Sequence, residues 1–214
     1  MQKNLKMYGT ATRGTVILAH GAGAGMDSAF MVYFAEGIAK AGFKCCLFDF
    51  PYMAKRMEDG KKRPPDRAPK LAEVYKEVIT DCHAGGPLYI GGKSMGGRIA
   101  SMILAEDPQL ADGLILLGYP FAPPGKPENI RVEHFPALMK PTLIVQGERD
   151  VFGGKVFVES LSLPDHFRLK WVPDGDHGFK PRKASGYTET ENWDAALACV
   201  TDYALGISDS YDSQ

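Results

Sequence analysis

The sequence predicts an α/β protein: a mostly parallel sheet of about six to seven strands with helices on both faces. Three observations predict it. Apolar runs of strand length alternate with stretches of helical periodicity about six times along the chain. Several of those runs are apolar on both faces, so both sides of the sheet must be covered. Glycines and reactive side chains recur just after the runs, beyond the strand ends, where an open parallel sheet binds its ligands.

Taken in order, Leu5 to Gly9 is a candidate edge strand. Thr15 to Ala19 (TVILA) is a buried strand ending in His20-Gly21-Ala22-Gly23-Ala24-Gly25. Asp27 or Ser28 can cap a helix to about Ala41, with Gly42 marking its exit. Phe43 to Phe50 is a second strand, stopped by Pro51. A polar, proline-containing loop is expected next, then a helix from about Ala68 to His83. Pro87 to Gly91 is a third strand with Ser94 just beyond it, and Met95 to Glu106 a helix closed off by Asp107-Pro108. Gly113 to Leu117 and Pro141 to Gln146 are the fourth and fifth strands. Gly154 to Leu161 reads as helical, Phe167 to Val172 as the sixth strand, and about Glu191 to Leu205 as the last helix. The tail, about 208–214, reads as frayed. No linker, internal repeat or low-complexity tract divides the chain, so 1–214 is expected to form a single domain.

Composition narrows the function. The chain has 214 residues, 44% hydrophobic and 24% charged, enough for one well-buried core. Its 25 Lys and Arg balance 26 Asp and Glu, which leaves no basic excess of the kind nucleic-acid binders carry. The opening MQKNLKMYGT lacks the apolar run of a signal peptide, and no stretch approaches the roughly 18 apolar residues of a membrane span. A cytoplasmic protein without nucleic-acid or membrane partners is expected. Cys45, Cys46, Cys82 and Cys199 form no C-x-x-C pair and read as free, buried thiols. No His/Cys/Asp cluster has metal-ligand spacing, so no metal is expected. From Lys55 to Lys70, seven basic residues stand against Glu58, Asp59 and Asp66. This is either a solvated surface loop or a loop over the site that attracts an anionic substrate or partner.

The chemistry sits after the third strand. Gly92, Ser94 and Gly96 spell G-x-S-x-G between a strand and a helix, the setting of a nucleophile elbow. Such a turn strains its serine and admits only small residues two places before and after it. The Met95 N–H, opening the helix, faces the same spot and can stabilise an oxyanion. Gly92-Lys93-Ser94 also resembles the end of a phosphate-binding loop, but that motif needs glycine where Pro87 stands. A serine needs a base, and the base an orienting carboxylate, each just after a later strand. PTLIVQ leads into Gly147-Glu148-Arg149-Asp150, and FRLKWV into Pro173-Asp174-Gly175-Asp176-His177. His177 is the expected base. Asp150 is the chosen acid, with Glu148, Asp174 and Asp176 nearby. His83 closes a helix, His134 and His166 read as surface residues, and His20 as a residue that shapes its loop. The second oxyanion donor is expected from the N–H of Ala22, with Gly23 the alternative. Tyr52, Met53, Tyr119, Phe121, Phe152 and Phe179 lie after strands and are candidate pocket walls, with Tyr52, Tyr119 and Phe179 the chosen substrate contacts.

HGAGAGMDS, GGKSMGGR, QGERDVFG and DGDHGF together resemble the α/β-hydrolase superfamily, over most of the chain. More narrowly the sequence is similar to the small cap-less dienelactone-hydrolase-like proteins. It is closer still to the subfamily related to the eukaryotic testis-expressed and non-specific-lethal-complex subunit proteins, a likeness that FDFPYM and the basic segment share. The resemblance implies a Ser94–Asp150–His177 triad and no cofactor. Dienelactone hydrolases carry a cysteine nucleophile, so Ser94 departs from that pattern, as does Lys93 before it, a cation that suits an anionic substrate or packs against the sheet. Only Gly118 to Lys140 separate the fourth and fifth strands, too few for a large lid, which suits small or accessible esters. Two functions follow: a serine hydrolase acting on a small carboxylic ester or related acyl compound, or a binding or scaffold protein that keeps the fold with little catalysis. The edge strand or the last helix offers a way to pair two copies as a homodimer.

Overall fold

A computed structural model describes residues 4–211, with side chains to position 207. Among them, seven strands form one sheet in the order β1-β3-β2-β4-β5-β6-β7. These are β1 (Leu5–Tyr8), β2 (Thr15–Ala19), β3 (Lys44–Phe48), β4 (Leu88–Lys93), β5 (Gly113–Leu117), β6 (Thr142–Gly147) and β7 (Phe167–Val172). Only β1 runs antiparallel, against β3. The interior strands β2, β5 and β6 are buried along their whole length and the central β4 along all but its last residue, whereas β7, at the far edge, alternates in exposure.

Helices cover both faces because each carries one apolar stripe. α1 (Ala29–Lys40) and α6 (Glu189–Tyr211) pack Phe34, Ile38, Ala196, Val200 and Tyr203 on one face. α3 (Ala68–Cys82) and α4 (Met95–Glu106) pack Tyr75, Val78, Ile99 and Ile103 on the other. Ser28 caps α1, its hydroxyl accepting from the Met31 N–H. Tyr75 reaches into the sheet itself: its hydroxyl accepts from the Gly91 N–H and lies 2.6 Å from Gly91 O and 2.8 Å from Ile17 O. Cys45, Cys46 and Cys82 are free and buried, and Cys199 is half-buried. Among the described residues no helix is long and apolar enough to cross a membrane. Between β5 and β6 stands only a short 3-10 turn, Phe135–Ala137, so no large cap covers the sheet.

Two expectations are corrected. The segment after Pro51 begins not as a loop but as a helix, α2 (Pro51–Asp59), with Phe50 at its cap and Gly60 closing it in the left-handed region. Proline stops a strand but suits the first helical position, where its missing N–H costs nothing. The last helix starts earlier than expected and runs on through position 211 into the stretch read as frayed, while 212–214 lie outside the described residues. Between β6 and β7 lies a short helix, α5 (Lys155–Glu159), within the stretch read as helical.

The topology positions the site. From β2 the chain goes to β3 on one side and returns to β4 on the other. The strand order therefore reverses between β2 and β4, and the loops leaving their carboxyl ends part around a crevice.

Candidate active site

β4 turns abruptly into α4 at Ser94, which sits at φ +51°, ψ −115°, a region side chains rarely enter. Its N–H donates to Leu117 O and its carbonyl accepts from the Arg98 N–H, so strand and helix hold the turn from both ends. The turn is possible because α4 lies against the end of β2. A Cβ on Gly92 would stand 2.2 Å from Ala19 O, and one on Gly96 would stand 2.3 Å from the same oxygen. The glycines of the motif are thus demanded by a neighbouring backbone.

A cavity of about 400 Å³ opens over the serine. Gly21 to Ala24 from the loop after β2, Lys93 and Ser94 from the elbow, Phe152 from the loop after β6, and His177 and Gly178 from the loop after β7 line it. Phe30, Met31 and Trp193 give it an apolar wall, and Glu189 stands among the lining residues.

His177 and Asp150 are in contact, Nδ1 lying 2.8 Å from Asp150 Oδ2. The carboxylate is fully enclosed while the imidazole keeps 28% exposure, so the ring is reachable from the cavity and its orienting acid is not. Asp150 Oδ1 accepts from the Phe152 N–H, and Oδ2 accepts from Gln146 Nε2. Gln146 also bonds both the N–H and the carbonyl of Tyr119 and the carbonyl of Gly153. Sequence reasoning missed this residue. Its signal was a buried amide ending an otherwise apolar strand, since buried polar groups seek partners. The other three carboxylates are engaged elsewhere: Glu148 with Lys155 and the Asp174 N–H, Asp174 with Arg182 and Arg149, and Asp176 with the N–H groups of Gly178 and Lys180.

The loop after β2 is braced from behind. His20 is wholly buried; its Nδ1 bonds Gly21 O at 2.7 Å and its Nε2 accepts from the Phe50 N–H at 3.1 Å. Those partners require the neutral tautomer with the proton on Nδ1, and burial lowers its pKa. Tyr52 donates to Ala22 O at 3.0 Å, and Arg56, one turn along α2, donates to Gly23 O at 3.1 Å. Asp49 accepts from the Met26 N–H.

Of the three chosen substrate contacts, none lines the cavity. Tyr52 lies under the loop and supports it. Tyr119 is fully buried against Phe121 and Phe135, its hydroxyl donating to Arg131 O. Phe179 is buried beneath Phe30 and Phe34. Phe152 does line it, its ring tilted by 44° against that of His177 at 4.5 Å between centroids. His134, expected at the surface, is half-buried and bonds Ser101 at 2.7 Å. Ser101 is wholly buried inside α4, and it lines no part of the cavity over Ser94. Of the basic segment, Arg63 pairs with Asp59 and Lys70 with Asp66, while Lys55, Lys61, Lys62 and Arg67 are exposed. Among the described residues no group of three or more His, Cys, Asp or Glu converges as a metal site would.

A family model described as an alpha/beta hydrolase domain matches residues 12–204. A rat protein provisionally named a protein-lysine deacylase, ABHD14B, is 26% identical over 160 residues, covering 74% of this chain and 72% of the relative. Among solved structures, a dienelactone hydrolase from Anabaena variabilis superposes with a TM-score of 0.70 at 23% identity, covering 94% of this chain and 91% of the other. A lidless α/β serine hydrolase from Xanthomonas campestris gives 0.64 at 16% identity, covering 93% and 88%.

Proposed function

Since the chain belongs to the α/β-hydrolase family, we propose that it is a serine hydrolase cleaving a small carboxylic ester or related acyl substrate through an acyl-enzyme. One observation carries the proposal: the buried Asp150 carboxylate is bonded to an accessible His177 on the same cavity that Ser94 lines from its strained turn. With Nδ1 bonded to Asp150, Nε2 is the nitrogen left to serve as base. Ser94 Oγ attacks the substrate carbonyl carbon as its proton passes to His177 Nε2. The imidazolium returns that proton to the departing alkoxide, which leaves as the alcohol and yields the acyl-serine. Water then attacks the acyl carbon, giving its proton to His177, and the acid departs as Oγ is reprotonated.

The oxyanion donors follow from the braces. In a trans peptide the N–H points opposite the preceding carbonyl. Gly21 O is held by His20, so the Ala22 N–H is turned away from that buried ring. Tyr52 holds Ala22 O in the same manner, which turns the Gly23 N–H. Ala22 remains the donor proposed, together with the Met95 N–H, whose place in the first turn leaves it without an intrahelical acceptor. The apolar wall and the absence of a large cap favour a compact acyl group over a long buried chain.

The test is covalent labelling of the protein by a fluorophosphonate, read by intact mass, beside Ser94→Ala and His177→Ala. Labelling that requires both residues supports the proposal and opens a comparison of esters with the acyl-lysine amides that the rat relative's name suggests. A folded protein that stays unlabelled overturns it, and leaves a fold that binds without turnover.

A further inference from the structure

The residue before the proposed nucleophile is a half-buried cation that also lines the cavity. Lys93 ends β4, and its ammonium lies 5.4 Å from the centre of the Phe30 ring and 5.5 Å from that of Phe179. It donates to the backbone carbonyl of His177. Room for it exists because the residue just after β5 is Gly118, at φ +59°. A Cβ there would stand 2.3 Å from Lys93 Nζ, 3.1 Å from His177 O and 3.6 Å from Asp150 Oδ2. Ammonium, histidine carbonyl and aspartate oxygen therefore converge around one missing side chain, behind the acid–base pair.

The groups facing this cation come from every neighbouring element. Asp150 lies on the loop after β6, and Asp176 and His177 on the loop after β7. α1 and the segment after β7 contribute only the rings of Phe30 and Phe179. Glu189, at the head of α6, lines the cavity and is paired with Lys180.

We propose that Lys93 is a positioning residue for the acyl transfer: its ammonium ties the nucleophile's own strand to the main chain of His177 and balances the buried Asp150 carboxylate. The inference rests on the serine-hydrolase reading above. An isolated buried carboxylate is costly, and a nearby cation offsets part of that cost. A hydrogen bond to the histidine's own carbonyl fixes where the ring starts from, and a base displaced by about 1 Å can lose about 100-fold in rate. Burial pushes the Lys93 ammonium down to about 8, opposed first by Asp150 and then by Asp176. The charge is thus present at neutral pH and lost on the alkaline side, where the neutral amine keeps only a weaker hydrogen bond to His177 O.

The experiment follows hydrolysis of a neutral short-chain p-nitrophenyl ester, and the rate of fluorophosphonate labelling, from pH 6 to 10. Wild type, Lys93→Met and Lys93→Arg are compared, each checked for folding by circular dichroism. Wild type should lose activity with a midpoint near pH 8. K93M should lose about 10- to 100-fold in kcat at pH 7, with KM within about twofold, and should lack the alkaline limb. K93R, whose charge does not titrate in this range, should carry its plateau past that midpoint. Wild-type kcat in K93M overturns the proposal, as does a loss confined to KM, which would make Lys93 a substrate contact. If K93M does not fold, coincident alkaline limbs in wild type and K93R overturn it. A wild type that neither labels nor turns over fails the serine-hydrolase reading instead. The tie is then read from the His177 ring resonances, which should show an inflection as Lys93 deprotonates; a flat trace overturns it.

Discussion

At Ser94, strain and proposed function occupy one residue. Its φ of +51° with ψ −115° suits glycine, and a non-glycine residue held there costs on the order of 1–3 kcal/mol. Ser94→Gly should therefore be more stable than Ser94→Ala by about 1 kcal/mol after glycine's greater unfolded entropy is subtracted. Both should fail to label. Urea unfolding of the pair decides it, and an alanine variant as stable as the glycine one would mean the turn stores no strain. Asp150→Asn should lower kcat by about 10³- to 10⁴-fold, because an amide in that place favours the wrong imidazole tautomer. The contact between Asp150 and His177 was legible in the sequence because each lies in the loop after one of two strands, β6 and β7, that the parallel sheet sets side by side. The walls of the cavity were not. Tyr119 and Phe179 stand at post-strand positions as Phe152 does, yet only Phe152 faces the cavity. A loop aromatic's direction is chosen by packing partners, here Phe121 and Phe135 for one ring and Phe30 and Phe34 for the other, that no local pattern reveals.

Among elements, α2 is the one that sequence periodicity concealed. Its charge-rich second half reads as loop, and its first half, Pro51 to Ala54, is too short an apolar stretch to show a helical period. The strands and the longer helices were legible because their burial is continuous or strongly one-sided. α2 matters because Tyr52 and Arg56, one turn apart on a single face, bond successive carbonyls of the loop after β2. Tyr52→Phe removes a hydroxyl that holds Ala22 O at 3.0 Å and lies 3.3 Å from Gly21 O, so it braces both peptides flanking the proposed Ala22 donor without touching substrate. A net loss of about 1 kcal/mol in transition-state stabilisation corresponds to roughly a 5- to 10-fold fall in kcat, with KM little changed. Steady-state kinetics on a short-chain ester would show it, and an unchanged kcat would mean the loop holds its shape unaided. A parallel brace acts within the core. Tyr75→Phe strips a hydroxyl from between the Gly91 N–H and two strand carbonyls, all buried, and should destabilise the fold by about 1–3 kcal/mol in urea unfolding.

Across the whole molecule, two histidines kept neutral by the fold couple its stability to acid. Burial lowers the pKa of His20, and burial followed by the nearby Arg98 pushes His134 down to about 4. In both cases the unfolded chain, whose histidines titrate near 6.5, binds protons before the folded one does. Stability therefore rises with pH between the folded and unfolded values, is fully present above about 6.5, and is lost as pH falls toward 4. The two sites differ in what protonation breaks. Ser101 Oγ donates to Arg98 O and so accepts from His134 Nε2, a bond that survives a second proton on the ring. His20 Nε2 is an acceptor for the Phe50 N–H, and protonation there ends that bond beneath the loop that lines the cavity. His134→Gln isolates the first contribution, since it lies apart from the cavity over Ser94. Its unfolding free energy should match or fall slightly below wild type at pH 7.5, yet decline less steeply from pH 6.5 to 4.5, while its hydrolysis of short esters stays at the wild-type rate. The acid slope that persists in this variant belongs in part to His20, and it should be accompanied by a fall in labelling rate as the Phe50 N–H loses its hold on the ring that braces Gly21 O. Parallel slopes in wild type and variant would mean that His134 titrates alike in both states, and the enclosed environment assigned to it would be wrong.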